Sequence, residues 1–270
     1  MAMKMQSAVV VLAVAAGMFL AAPRADAVVV YDSGGFEAPR FIAGDLAGQD
    51  VQGPWLRSGG TAPAVVQSTV TRSGGQAVQF TRTATGGDTW YGVNKEMTPT
   101  APNQVVRISW DMNVTQTQGD EFGPFFGVDA YDGFGGLPKR VGLLGVDAST
   151  GEVLILGAGP TDEEEFFIAP GEIVPFGQWN RYALELDYAT RTYRGYVNGV
   201  LVGGDDFIDD EDGIVGFTDA PIGSLQAGAA DVPGVAYFDN YTIEVVPEPT
   251  TVAIFGLASL GLLARRRVAR

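Results

Sequence analysis

Histidine and cysteine are both missing from the 270 residues. Their absence excludes Ser-His-Asp and Cys-His catalysis, disulfide bonds, and zinc or iron–sulfur sites built on Cys or His. Carboxylates are the main groups left for catalysis or metal binding, and calcium is the metal that such oxygen ligands favour. Charged residues are also few, at 18%, whereas glycine occurs 37 times. This composition favours turn-rich β structure over long helices.

The first 27 residues have the pattern of a secretory signal peptide. Lys4 supplies a positive charge, and an apolar run extends from Ala8 to Ala22. Small residues at Ala25 and Ala27 then precede a predicted cleavage site before Val28. The sequence therefore predicts export through the inner membrane. An uncleaved anchor or a buried helix is the alternative interpretation.

The last 24 residues combine three elements in a fixed order. Pro247, Glu248 and Pro249 come first, then an uncharged segment, Thr250–Ala264, and then a basic tail over 265–270 that opens with Arg265, Arg266 and Arg267. As a helix the uncharged segment would be about 22 Å long, shorter than a hydrocarbon core of about 30 Å, so its flanks must snorkel or the bilayer must thin. The arginines indicate a cytoplasmic C-terminus.

This ending resembles the PEP-CTERM protein-sorting signal of Gram-negative bacteria. The resemblance implies processing near Pro247–Pro249 by an exosortase, a membrane-embedded transpeptidase-like protease. It also implies release or transfer of the protein to the cell surface, in hosts that typically make extracellular polysaccharide. Until processing, the helix at 250–264 would hold the protein in the membrane. A plain C-terminal membrane anchor is the alternative.

The segment between the two ends is strongly acidic. Of the 32 acidic residues two lie outside residues 28–247, whereas six of the 17 basic residues do, so this segment carries a net charge of −19. Phosphates would be repelled by it, so nucleic acid is not an expected partner. Anionic lipid surfaces are excluded for the same reason, and a solvated acidic surface is the preferred interpretation.

Alternating apolar and polar residues predict an antiparallel β protein in this segment. Asn198-Gly199 predicts a hairpin, because both turn residues must adopt positive φ. We expect one all-β domain over residues 28–246, an antiparallel β-sandwich, with no long amphipathic helix. The predicted strands are Gln104–Val114, Trp179–Tyr188, Thr192–Val202 (interrupted by the turn), Val235–Val245, Ala64–Thr71, Ala77–Arg82, Phe122–Ala130, Val141–Asp147 and Glu152–Leu156.

Short motifs in the same segment resemble the concanavalin A-like lectin/glucanase superfamily, in its laminin-G-like branch. They are Trp179–Asp187, Tyr193–Tyr196, Val197-Asn198-Gly199, Tyr237–Tyr241 and Gly34–Glu37. The resemblance implies a jelly roll of two antiparallel sheets, with the last two motifs in its last and first strands. It also implies that some members carry calcium at a loop edge and a glycan site.

One pair of acidic residues resembles part of a catalytic motif of that superfamily. Its retaining glucanases use Glu-x-Asp-x-x-Glu, which holds a nucleophile and an acid/base about 5 Å apart. Glu185 and Asp187 match the first two positions, but Thr190 occupies the third. An exposed polar strand face gives the same alternation. The sequence therefore predicts no catalytic set and a protein that is not an enzyme.

The densest acidic cluster is a candidate metal site. Oxygen ligands in a flexible loop suit calcium, but the spacing does not match an EF-hand. A solvated loop is the preferred interpretation of this cluster and of Asp162–Glu165, so no cofactor is expected, with calcium as the alternative. The candidate ligands are Asp205, Asp206, Asp209, Asp210 and Asp212.

Five further side chains have both a structural and a functional interpretation. Asp239 is in phase with the apolar residues of Val235–Val245, including Tyr237, so its carboxylate should point inward and hold a loop, bind a metal or mark a bulge. A structural role is preferred. Four aromatic residues would stack on sugars if exposed, but core positions are expected; they are Trp55, Trp90, Tyr91 and Trp179.

These patterns together predict a non-catalytic, exported and surface-sorted protein of the bacterial envelope or extracellular polysaccharide matrix. An exosortase is the expected processing partner, and extracellular polysaccharide is the ligand to test first. A carboxylate-dependent glycan-active enzyme and a purely structural matrix subunit remain the alternatives.

Overall fold

The computed structural model describes residues 27–101, 104–117, 122–157, 165–226 and 232–247, with the backbone alone over 165–171. The signal peptide up to Asp26, the acidic residues 162–164, and everything after Pro247 lie outside the described residues. The predictions for Ala25, Glu248, Pro249, the segment 250–264 and the basic tail therefore stay predictions. None of the helices in the described part of the chain is long and apolar enough to span a membrane.

The described residues form two antiparallel sheets packed face to face, which confirms the predicted all-β sandwich. In chain order the strands are β1 Val28–Asp32, β2 Gly44–Asp45, β3 Leu56–Gly59, β4 Ala64–Gln67, β5 Ala77–Arg82, β6 Thr89–Gly92, β7 Val105–Thr115, β8 Pro124–Asp132, β9 Lys139–Asp147, β10 Glu152–Gly157, β11 Glu165–Ile173, β12 Trp179–Asp187, β13 Thr192–Val197, β14 Val200–Asp206, β15 Ile222–Gln226 and β16 Gly234–Val246.

The strand order gives the sandwich its jelly-roll character, because neighbours in space are often distant in sequence. The nine-stranded sheet runs β14-β13-β12-β7-β16-β5-β4-β2, and β1 also pairs with β16. The seven-stranded sheet runs β11-β10-β9-β8-β15-β6-β3. Each sheet thus has one face toward its partner and one face toward the outside.

Large aromatic side chains fill the space between the sheets. Trp110 of β7 stacks on Tyr182 of β12 at 5.7 Å between ring centroids, and both are buried. Phe80 of β5 meets Phe126 of β8 at 6.3 Å, so this contact joins the two sheets. The predicted alternation in β7 and β12 is confirmed, since Leu184 and its even-numbered neighbours face this core.

A bulge in β16 corrects the predicted phase of the last strand. The register of its pairing with β7 shifts after Asp239, and Asn240 adopts a φ of 50°. Phe238 faces the core before the shift and Tyr241 after it. The expectation that Tyr237 shares the core face with Tyr241 was wrong, because the bulge moves the alternation by one residue.

The turns and strand ends give one confirmation and three corrections. Asn198 and Gly199 have φ of 51° and 81°, which confirms the predicted hairpin. β4 ends at Gln67, four residues before the predicted end. Gly34–Phe36 is a short 3-10 turn that follows β1, not a first strand. Glu165, expected in a solvated loop, begins β11.

Candidate functional site

A row of glycines crosses the outer face of the seven-stranded sheet. Phe126 and its alternate neighbours in β8 face the core, so Gly127 faces outward. Gly127 pairs with Gly145 of β9 on one side and with Gly223 of β15 on the other. Gly223 in turn pairs with Trp90 of β6. The ring of Phe125 lies over Gly127 and Gly145, so the part of this glycine floor left beside Trp90 is Gly223.

The indole of Trp90 lies along this floor. A Cβ placed on Gly59 of β3 would come within 2.6 Å of the indole Cζ3, and one placed on Gly223 within 3.4 Å of its Cδ1. Opposite edges of the ring therefore lie over the two strands that flank β6. Trp90 is half-buried. Part of the indole is therefore exposed.

A buried carboxylate orients the indole. Asp129 of β8 is fully buried, and its Oδ2 accepts hydrogen bonds from Nε1 of Trp90 at 3.2 Å and from the hydroxyl of Tyr131. Its Oδ1 accepts from Nε of Arg140 at 3.0 Å. Burial raises the pKa of Asp129, and the guanidinium of Arg140 opposes that shift. The carboxylate of Asp129 thus holds the side chains of Trp90, Tyr131 and Arg140 in place.

Trp90 and Tyr131 border a cleft of about 310 Å³. Asp219 reaches it from the segment before β15, and its carboxylate accepts a hydrogen bond from Oγ1 of Thr218 at 3.1 Å. Burial raises the pKa of Asp219 to about 6, and the nearby charge of Asp129 adds to the shift. A carboxyl group that titrates near neutral pH in a cleft is typical of functional sites. The cleft is lined by Ser58, Gly59, Trp90, Tyr131, Pro138, Asp219 and Pro221.

Glu185 and Asp187 lie elsewhere, on the outer face of the nine-stranded sheet. Glu185 forms an ion pair with Arg107 at 3.2 Å. Asp187 accepts hydrogen bonds from the backbone N–H groups of Ala189 at 2.9 Å and Thr190 at 3.2 Å. The two carboxylates therefore have separate structural partners, and the sandwich separates them from the cleft.

The acidic cluster over residues 205–212 is divided among several contacts. Asp210 pairs with Arg191, and Asp209 accepts a hydrogen bond from the backbone N–H of Arg140 at 2.5 Å. Asp205 accepts one from the backbone N–H of Asp206, while Asp212 ends a short 3-10 turn. Among the described residues no three acidic side chains converge on a position for a metal ion. Calcium at this loop stays a prediction.

Asp239 holds a loop, as the structural interpretation expected. It is fully buried, and its Oδ2 accepts hydrogen bonds from the backbone N–H groups of Arg72 and Ser73, both at 3.1 Å. Glu37 holds the same loop through the N–H of Gly75 at 2.7 Å. Burial raises the pKa of Asp239 to about 6, although these backbone bonds lower it.

The four predicted aromatic candidates divide between the core and the outer faces. Trp55 and Tyr91 are fully buried in the core, as expected. Trp179 is half-buried on the outer face of the nine-stranded sheet. Trp90 was expected in the core but borders the cleft. The sequence reasoning missed its neighbours Asp129 and Asp219, whose only signal was an acidic residue next to apolar ones.

The C-terminus matches a known sorting signal. Residues 245–267 match the family model of the PEP-CTERM protein-sorting motif. No curated protein matches the chain. The predicted resemblance is thereby confirmed over these residues, which include Pro247, Glu248 and Pro249.

Solved structures with little sequence identity are similar to the chain. The carbohydrate esterase of the Shiga toxin-encoding bacteriophage phi24B is 14% identical with a TM-score of 0.50, covering 82% of this chain and 100% of that one. Alginate lyase vAL-1 from Chlorella virus is 11% identical with a TM-score of 0.49, covering 71% and 93%. A sialidase is 13% identical with a TM-score of 0.48 over 74% of this chain, which spans 17% of the sialidase.

The similarity to the phage protein supports the jelly-roll β-sandwich fold alone. The C-terminal motif indicates export and exosortase-dependent sorting to the cell surface. The chain is thus a jelly-roll β-sandwich protein that carries a PEP-CTERM sorting motif at its C-terminus.

Proposed function

We propose that the sandwich binds carbohydrate, without catalysis, at the cleft beside Trp90. The observation that carries this proposal is the half-buried indole that lies against Gly59 and Gly223 and lines the cleft. Sugar rings have an apolar C–H face that packs on such a flat, electron-rich surface. Asp219 and the hydroxyl of Tyr131 supply polar groups at the same place for sugar hydroxyls. A few polar groups around an apolar surface are typical of small-ligand sites.

Three further points support a carbohydrate ligand. The Asp129 carboxylate holds the indole through Nε1, so the stacking surface is fixed before any ligand arrives. The phage protein with a similar fold is described as a carbohydrate esterase. A protein sorted to the cell surface also meets extracellular polysaccharide, the ligand that the sequence suggested first.

A binding assay with two matched variants tests the site. Trp90→Ala removes the stacking surface, whereas Trp179→Ala removes a half-buried tryptophan from the opposite sheet. We expect the full chain in detergent to bind members of a glycan array, with binding at least tenfold weaker in Trp90→Ala and unchanged in Trp179→Ala. Circular dichroism of both variants serves to check that they are folded. Equal glycan binding by wild type and Trp90→Ala would refute the proposal.

A glycan-active enzyme is the second candidate, and one observation favours it. Asp219 has a pKa of about 6 within the cleft, which would suit a general acid or base. Incubation of the protein with a broad panel of glycans tests this alternative by the release of reducing sugar. Release that is lost in Asp219→Asn would favour the enzyme, and no release from any glycan would favour binding alone.

We further propose that the segment 250–264 anchors the precursor, with the C-terminus in the cytoplasm, until an exosortase cleaves near Pro247. Deletion of residues 247–270 should give a secreted domain that is no longer processed or sorted. Immunoblots of cell and medium fractions measure both size and location. If the deletion changes neither of them beyond the mass removed, the sorting proposal is wrong.

A further inference from the structure

The cleft beside Trp90 has an uncompensated negative charge. Within the described residues Asp219 forms no ion pair, and its hydrogen-bond donor is the neutral hydroxyl of Thr218. The two basic side chains nearby are already engaged. Arg140 donates to Asp129 at 3.0 Å, and Lys139 donates to the carbonyl of Gly213 at 3.0 Å. A carboxylated ligand would therefore meet repulsion from Asp219.

The aromatic groups in the cleft also favour a cation. A positive charge is attracted to the face of an indole or phenol ring, most strongly to that of tryptophan. Trp90 and Tyr131 line the cleft on which Asp219 opens. The same arrangement already occurs within the protein, where the guanidinium of Arg140 lies 5.8 Å from the ring centroid of Tyr131.

The net charge of the whole chain also favours a positively charged ligand. The formal net charge is −15, so positively charged ligands are concentrated at its surface and polyanions are repelled. Burial is the main cause of the raised pKa of Asp219, and repulsion by the charge of Asp129 adds to it. An ammonium group placed beside Asp219 would relieve that repulsion.

We propose that the cleft selects a cationic amino sugar, with the ammonium group beside the carboxylate of Asp219 and the sugar ring on the indole of Trp90. This inference rests on the proposed carbohydrate site and adds the class of its ligand. Neutral sugars would retain the stacking contact alone, and uronic acids would be repelled by Asp219.

Three oligosaccharides with one backbone test this selectivity. The β-1,4-linked hexamers of glucosamine, N-acetylglucosamine and glucose differ at C2, where they carry an ammonium, an acetamide or a hydroxyl group. Isothermal titration calorimetry with the full chain in detergent at pH 6.5 measures each affinity, and a mannuronate hexamer adds an anionic ligand. We expect the glucosamine hexamer to bind at least tenfold tighter than the two neutral hexamers, with the mannuronate hexamer weakest.

Two charge variants separate the site from the net charge. Asp219→Asn should bind the glucosamine hexamer no tighter than the glucose hexamer. Asp206→Asn makes the same change in charge on an exposed residue of the edge strand β14, in the other sheet, and should keep the preference. If both variants lose the preference equally, the net charge causes it and the inference is wrong.

The remaining outcomes distinguish this inference from the proposed function. Similar affinities for all three β-1,4 hexamers, reduced together in Trp90→Ala, would overturn the amino-sugar inference and leave the carbohydrate site in place. Binding of none of the hexamers, together with an empty glycan array, would overturn both.

Discussion

The buried carboxylate of Asp239 makes the stability of the sandwich depend on pH in a specific direction. Burial raises its pKa to about 6 in the folded protein, against an ordinary value of 3.8. The folded state therefore binds a proton more tightly than the unfolded state does. This contribution to the free energy of unfolding is complete below pH 3.8 and is lost as the pH rises through 6.

The size of the effect follows from the same two values. A difference of about 2 between them corresponds to roughly 3 kcal/mol at about 1.36 kcal/mol per pKa unit. Asp239→Asn removes the titration. It also replaces one acceptor oxygen by an amide that faces the N–H groups of Arg72 and Ser73, which costs about 1–3 kcal/mol. Relative to this variant, wild type should gain roughly 2 kcal/mol between pH 7 and pH 4, with the rest of the effect below pH 4.

Urea unfolding of wild type and Asp239→Asn at pH 4, 5, 6 and 7 measures this difference. Asp219 titrates in the same range, but it is present in both proteins and cancels in the comparison. Asp206→Asn, on an exposed residue, is the control for the loss of one negative charge. A gap between wild type and Asp239→Asn that stays constant, or widens toward pH 7, would refute the reasoning.

Three further substitutions probe the site and its supports. Asp129→Ala removes a fully buried carboxylate that accepts hydrogen bonds from Arg140, Trp90 and Tyr131, so it should lower the free energy of unfolding by about 3–5 kcal/mol in urea; a loss below 1 kcal/mol would contradict this. Gly145→Ala places a Cβ 2.3 Å from the carbonyl oxygen of Phe126, so a cost of about 1–3 kcal/mol should lower the melting temperature, and an unchanged melting temperature would refute the close approach. Gly199→Ala has free space but a φ of 81°, so its cost in urea should stay near 1 kcal/mol, and a cost above 3 kcal/mol would contradict the open turn.

Individual strands could be predicted from the sequence because their alternation is a local property. β7 begins and ends one residue after the predicted Gln104–Val114, and the turn at Asn198-Gly199 has the expected positive φ angles. Strands such as β2, with two residues, are too short to show any alternation. The predicted alternation in β16 is wrong because the bulge at Asn240 leaves no periodic signal in the sequence.

The candidate site could not be predicted for a different reason. Trp90, Asp129 and Asp219 come from distant parts of the chain and meet only because β15 pairs with both β6 and β8. The alternation of apolar and polar residues predicts which face of a strand a residue occupies, but it does not predict which strand lies beside that strand. The glycine floor could not be predicted for the same reason, since it depends on the pairing of Gly127 with Gly145 across two strands.

The first and last strands of the sandwich are neighbours, and each adjoins a predicted processing site. Val28 of β1 pairs with Val245 of β16, so the predicted signal cleavage site and the start of the sorting motif lie side by side. β16 ends at Val246, and Pro247, which has no backbone N–H, cannot extend its hydrogen-bond ladder. Cleavage before Val28 and near Pro247 would therefore leave β1 and β16 complete. The pairing of β1 with β16 also places the two predicted cleavage sites close together on the sandwich.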